Sequence, residues 1–197
     1  MLKDGLRALA AIVLPFCLWL GLLLPADAAV QLPPPLLTLT DLPAGFAPAS
    51  AEEASSCQMA GAIAAFAYRQ GTQLTELICV SSFSLAPVAE QPVPPETLQQ
   101  LFDSILQHPE ALIQQANAAD TAGLEILKTL EGIGEVATGF SKTEAGIGRT
   151  EVALFRRGDW INSVLVRDAV GQAPIASLAS VARQVDQHVA QLVPPNR

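Results

Sequence analysis

Histidine is almost missing from this sequence. Its 197 residues hold two, His108 and His188, and with the cysteines they form none of the closely spaced ligand pairs that a zinc site needs. His108 precedes Pro109 and reads as the cap of a short helix starting there. His188 neighbours an apolar helical stripe and reads as a boundary residue, so neither is assigned as base or ligand. Serine-nucleophile chemistry lacks its frame as well, since no Gly-x-Ser-x-Gly elbow occurs. Two Gly-Ile-Gly triplets, Gly132–Gly134 and Gly146–Gly148, lack the third glycine or the lysine of a nucleotide loop and read as turns. The expected set of catalytic residues, cofactors and metal ligands is therefore empty. Basic residues are scarce too: 11 Lys and Arg face 19 Asp and Glu, for a formal net charge of −8. An acidic chain without a basic cluster argues against nucleic acid and is repelled by anionic lipid.

Cysteine is limited to three, and one of them, Cys17, lies in the N-terminal leader. Lys3 and Arg7 precede an apolar run from Ala8 to Leu24, and Ala26-Asp27-Ala28 supplies small residues for cleavage, the pattern of an export signal. Retention as an anchor is the competing reading, and the length of the run barely permits it. Phe16 before Cys17 is unlike a lipoprotein signal. The expected organisation is a signal peptide over 1–28, a proline-rich tether over 29–35 and a single α+β domain over 36–197, exported to the periplasm or thylakoid lumen, soluble after cleavage and touching membrane only through the leader. Cys57 and Cys79 then remain, and an oxidising compartment permits one disulfide between them. Two small buried thiols fit equally well. If their flanking segments pair as a hairpin, the two cysteines are out of register, and a bridge requires the Cys57 segment to fold back.

Leu36–Phe46 reads as a short strand entering a Pro-Ala-Gly turn, and Ala47–Ser56, with Glu52-Glu53, as a solvated loop. Met59–Tyr68 is ambiguous: its alanines favour helix, whereas Ile63, Phe66 and Tyr68 suit a strand. The strand is preferred because Gln70-Gly71-Thr72 then turns it into the apolar run Leu74–Phe83, the best candidate for a central strand. Leu98, Leu101, Phe102, Ile105 and Leu106 form a helical stripe with Pro95 in its first turn, and a second short helix is expected over 109–116. Leu124–Leu130 and Glu135–Thr143 are candidate strands.

The stretch that organises the rest is Thr150–Leu192. Glu151–Phe155 and Trp160–Val166 read as the strands of a hairpin turning at Arg157-Gly158-Asp159. Pro174 opens a helix whose Ile175, Leu178, Ala182, Val185, Val189 and Leu192 step by three and four, and Pro194-Pro195 stops it. Burying the five larger members of that stripe contributes roughly 8 to 15 kcal/mol gross, less than the backbone entropy, at least ~20 kcal/mol, lost by about twenty residues. The helix therefore needs a sheet, and the preceding hairpin is the nearest. At the tip, Arg156, Arg157, Asp159 and Trp160 form the one polar cluster on a firm element. It reads either as a recognition edge for an anionic partner or as a charged tip that keeps the sheet edge soluble.

Leu42–Phe46 (Leu-Pro-Ala-Gly-Phe), Leu130–Glu135 (Leu-Glu-Gly-Ile-Gly-Glu), the Val152–Val166 strand pair and the closing helix together resemble exported domains of the PsbP/Mog1/LpqN-like α/β type. The resemblance implies a largely antiparallel sheet packed with helices, an α/β sandwich. It also implies a non-enzymatic accessory or binding protein of the envelope or lumen, working through a protein partner or a ligand surface. A small hydrolase with an unrecognised carboxylate site and a carrier of apolar ligands are the alternatives. The sequence names neither a partner nor an oligomeric state.

Overall fold

The computed structural model describes residues 36–57, 62–85, 94–110, 113, 122–127 and 130–193. The expected leader over 1–28, the expected tether over 29–35 and most of the short helix expected over 109–116 lie outside them. Seven strands make one sheet: β1 (Phe46–Pro48), β2 (Ala62–Gln70), β3 (Gln73–Ser84), β4 (Leu124–Ile126), β5 (Val136–Glu144), β6 (Gly148–Arg157) and β7 (Trp160–Asp168). Their order is β1-β2-β3-β7-β6-β5-β4, and every pair is antiparallel. Two meanders, β1–β3 and β4–β7, thus meet where β3 pairs with β7. Three helices accompany them among the described residues: α1 (Ala51–Ser55), α2 (Pro95–Gln107) and α3 (Leu178–Leu192). The class is α+β, a largely antiparallel sheet packed with helices as the sequence predicts.

Because side chains alternate along a strand, β3, β6 and β7 present an apolar set to each side. Ile78, Val80, Ala153, Phe155, Val164 and Val166 meet α3 through Leu178, Val181, Ala182, Val185 and Val189. Leu77, Cys79, Val152, Leu154 and Leu165 meet Leu106 of α2 and Cys57 on the other side. α2 also seats Leu98 and Phe102 on Ile161 and Leu85. The four larger buried side chains of α3 contribute roughly 6 to 12 kcal/mol, and they rest on the β6–β7 hairpin as the sequence predicts. None of the helices among the described residues is long and apolar enough to cross a membrane.

Three local expectations are corrected. The strand expected over 36–46 is confined to Phe46–Pro48. Upstream, Thr38 and Asp41 form a capping box, with Thr38 N–H donating to Asp41 Oδ2 at 2.7 Å, and this bends the chain into a 3-10 turn over Leu39–Asp41. The loop expected over 47–56 holds α1, whose Ser50 and Glu53 form a second capping box. Glu53 also takes an ion pair from Arg69, so it is not simply solvated. α3 starts at Leu178, later than Pro174, because the N–H groups of Ile175 and Ala176 are captured by a side chain of the sheet and Ser177 supplies the cap. His108 ends α2, its N–H donating to Ser104 O, and stands directly before helical residues 109 and 110.

Cys57 and Cys79 are joined, with Cα atoms 6.0 Å apart. Cys79 lies opposite Ala65 in the β2–β3 hairpin, and Cys57 reaches it because α1 folds back over the α2 side of the sheet. That is the fold-back a bridge requires.

Candidate functional site

Arg156 and Arg157 are consecutive in β6, so their side chains leave on opposite faces. Arg156 is buried on the α2 side and grips Asp103 with two hydrogen bonds, Nε to Oδ1 at 2.6 Å and Nη2 to Oδ2 at 2.7 Å. Its Nη1 donates to Glu135 Oε2 at 2.6 Å and to Gly158 O at 2.8 Å. Hydrogen bonding to Asp103, above all, raises its pKa against the opposing cost of burial. Arg157 grips Asp186 of α3 in the same bidentate way, with Nη2 2.6 Å from Oδ2, and this pairing raises its pKa too. Asp159 accepts from Gln99 Nε2 of α2 at 2.5 Å, and Trp160 is half-buried against the core under α3. The predicted cluster therefore exists as a cluster, but both guanidinium groups point inward. Each holds one helix to the sheet, a clamp with one jaw on either face.

The signals for Asp103 and Asp186 were faint. Each acid is the residue next to a buried apolar position of its helix, Phe102 and Val185, and only the paired arginines make sense of it. His188 plays a comparable part: its Nδ1 lies 2.9 Å from Leu36 O and its Nε2 3.8 Å from Asp41 Oδ1, tying the first residues of the domain to α3. His108 lies at the surface, 3.4 Å from Glu110.

A second polar group sits at the far end of β7 and has no counterpart in the sequence expectations. On the α3 side, Tyr68 of β2, Glu76 of β3, Asp168 of β7 and Arg149 of β6 lie opposite one another in a single row across the sheet. Glu76 and Asp168 are 1% and 3% exposed. The Glu76 carboxyl accepts the N–H of Ile175 at 2.6 Å and of Ala176 at 3.0 Å, so it anchors the chain where it turns into α3. Burial, chiefly, pushes its pKa up to about 7; the two backbone N–H groups pull it down, while the charge of Asp168 and a hydrogen bond between the two carboxyls push it further up. Asp168 is raised mainly by burial, helped by Glu151 and opposed by its bond with Glu76 and by Arg149. Burial and the facing carboxyls thus hold both groups toward the protonated form, Glu76 close to neutrality. Asp168 Oδ1 is buried with no hydrogen-bond partner. Backbone packing is equally tight: Gly148, opposite in β6, has φ +120°, and a Cβ there would lie 1.9 Å from Asp168 O.

A lone glutamate inside Leu74–Phe83, the run expected to form a central strand, has to find buried donors or a proton once it is buried.

One residue away, and on the opposite face, Arg167 is partly buried and its Nε has no hydrogen-bond partner. Burial lowers its pKa, and the charge of Glu144 opposes that. Among the described residues no group of three or more His, Cys, Asp or Glu could hold a metal ion. Comparison of the chain with protein-family models, with curated proteins and with solved structures finds no match.

Proposed function

We propose that this chain is an exported, non-catalytic accessory or binding domain of the bacterial envelope or thylakoid lumen, built as an α/β sandwich of the PsbP/Mog1/LpqN-like type. The observation that carries the reading is the Cys57–Cys79 bridge. It ties α1 to a central strand, and such structural bridges belong to oxidising compartments, where the leader over 1–28 would deliver the domain. Support for a binding role comes from how polar groups are used: the arginines of the hairpin tip, Glu76 and His188 hold helices and loops in place. A partner that reads the hairpin tip would meet Asp159 and the outer part of Trp160, since Arg156 and Arg157 are turned inward.

The test is the intact mass of the protein recovered from its native envelope or lumen fraction. Export with processing predicts a chain starting near residue 29 or 30 that gains two hydrogens on reduction. An unprocessed chain with free thiols in the cytoplasmic fraction overturns the reading.

The hydrolase alternative is favoured by one observation, a carboxyl pair with Glu76 held near neutrality, a range suited to a general acid or base. Against it stand the burial of both carboxyls and the use of both Glu76 oxygens on the 175–176 backbone. Turnover of any ester or glycoside that is lost in Glu76→Gln, while folding is retained, would move the assignment to this reading.

A further inference from the structure

Arg167 belongs to a row that crosses the α2 side of the sheet. Leu77 of β3, Arg167 of β7, Thr150 of β6, Lys142 of β5 and Leu124 of β4 lie opposite one another in register. Four other arginines on the sheet have acceptors: Arg69 has Glu53, Arg149 has Glu151, Arg156 has Asp103 and Glu135, and Arg157 has Asp186. Arg167 differs. No hydrogen bond or ion pair engages its guanidinium among the described residues, and its Nε is buried without a partner. The acid whose charge acts on it is Glu144, and that carboxylate is in contact with Lys142 Nζ at 2.8 Å. Glu144 is thus already engaged by Lys142, and it makes no hydrogen bond or ion pair with Arg167.

A guanidinium keeps its charge even when partly buried. Stripped of part of its water and given no acceptor, it holds up to five unmet donors, and an unmet buried donor is destabilising. The group that best relieves this is a planar oxyanion matching the fork of Nε and Nη. The hydroxyl of Thr150, beside Arg167 on the same face, adds a neutral donor. The single charge of the Arg167 guanidinium matches a monoanion, and the charge of Glu144, which already acts on Arg167, disfavours a second negative charge on the ligand.

We propose that Arg167 and Thr150, flanked by the Lys142–Glu144 pair, form a site for a small monocarboxylate on the α2 side of the sheet. The proposal rests on the reading of this chain as a binding domain and is independent of where the protein resides. It places the ligand at the end of β7 remote from the hairpin tip, so the tip and the site can be altered separately.

The experiment uses the full mature chain with its disulfide intact. Acetate, benzoate, inorganic phosphate and chloride are titrated at constant ionic strength, and the amide shifts of Thr150, Lys142 and Arg167 are followed by NMR. A carboxylate is expected to give saturable shifts at these positions, with phosphate no stronger than chloride. Arg167→Met is expected to weaken carboxylate binding about ten-fold or more, the loss of a charge-assisted pair of hydrogen bonds. Arg167→Lys, which keeps the charge and loses the fork, should fall between, and it serves if the Met variant does not fold. Arg183→Met, an exposed arginine on α3, should bind as the parent does. The proposal is overturned if no carboxylate gives saturable shifts, if both Arg167 variants bind as the parent does, or if phosphate binds more tightly than the carboxylates. Any of these leaves the export reading intact, because that reading is decided by the mass of the native protein.

Discussion

Raising the pH from 4.5 to 8 should weaken this fold through Glu76. Its folded-state pKa of about 7 lies above the ordinary 4.5, so between those values the folded protein holds a proton that the unfolded chain has released. Stability then falls as pH rises. The contribution is fully present below about pH 4.5, is lost through pH 7, and does not change further above about pH 8. At about 1.36 kcal/mol per unit, the difference amounts to about 3 kcal/mol, and the raised pKa of Asp168 acts in the same direction. Its structural basis is specific: above pH 7 two carboxylates face each other across β3 and β7, beside Arg149 and Glu151 of β6 and Tyr68 of β2, and the anchor of residues 175–176 is loosened. Denaturant unfolding at half-unit steps of pH measures it directly. Asp168→Asn is the diagnostic variant, because an amide in place of the second carboxylate can donate to ionised Glu76 and lower its pKa. The variant should show a flattened profile between pH 5 and 7 and should gain on the parent at pH 8. A parent profile that is flat or rising over that interval, or a variant with the same slope as the parent, would refute the reasoning.

Three further outcomes follow from named contacts. Replacing Cys57 and Cys79 by serine should cost about 3 kcal/mol at every pH, the loop-closure contribution for a sequence separation of 22, read as a shift of the denaturation midpoint that reductant reproduces in the parent. Asp103→Ala leaves Arg156 buried with Glu135 and Gly158 O as its remaining acceptors and should cost about 2 kcal/mol. Adding Arg156→Met should restore part of that loss, and a strictly additive double mutant would show that the two residues do not interact. Gly148→Ala should be among the most damaging single-methyl additions, at more than about 2 kcal/mol, because both its φ and the carbonyl of Asp168 oppose a Cβ; near-parental stability by calorimetry would contradict the β6–β7 register described here.

How much of this was legible in the chain depended on the range of the interactions involved. The β6–β7 hairpin and α3 were legible because their signals are local: alternation of apolar residues, a turn with glycine, and a stripe at helical spacing. The β2–β3 hairpin was legible only in outline, since the alanines of β2 gave helix and strand equal claim and partners in β3 and β1 decided between them. The segments at 36–48 and 50–56 were misread for the opposite reason. Their structure comes from short-range side-chain-to-backbone bonds, Thr38 with Asp41 and Ser50 with Glu53, which apolar patterning does not register. The candidate sites were least visible. Arg156 is 53 residues from Asp103, and Glu76 is 99 and 100 residues from the N–H groups it accepts, so the sequence could mark the arginines as a cluster without showing where they point.

The two ends of β7 divide the work of the sheet. At its start, beside Arg156 and Arg157, every strong donor is matched to a carboxylate on a helix, and altering that end is expected to change how firmly α2 and α3 are held. At its finish, Asp168 and Arg167 leave an acceptor unmet on one face and a donor unmet on the other. Unmet buried groups cost stability, and a fold that matches its charges so closely at one end could have matched them at the other by an apolar substitution. The acid pair is accounted for by the proton it keeps near neutrality and by the loop it anchors. Arg167 has no such internal use among the described residues, and the α2 side of the sheet at this end, remote from the hairpin tip, is where ligand contacts should be sought first.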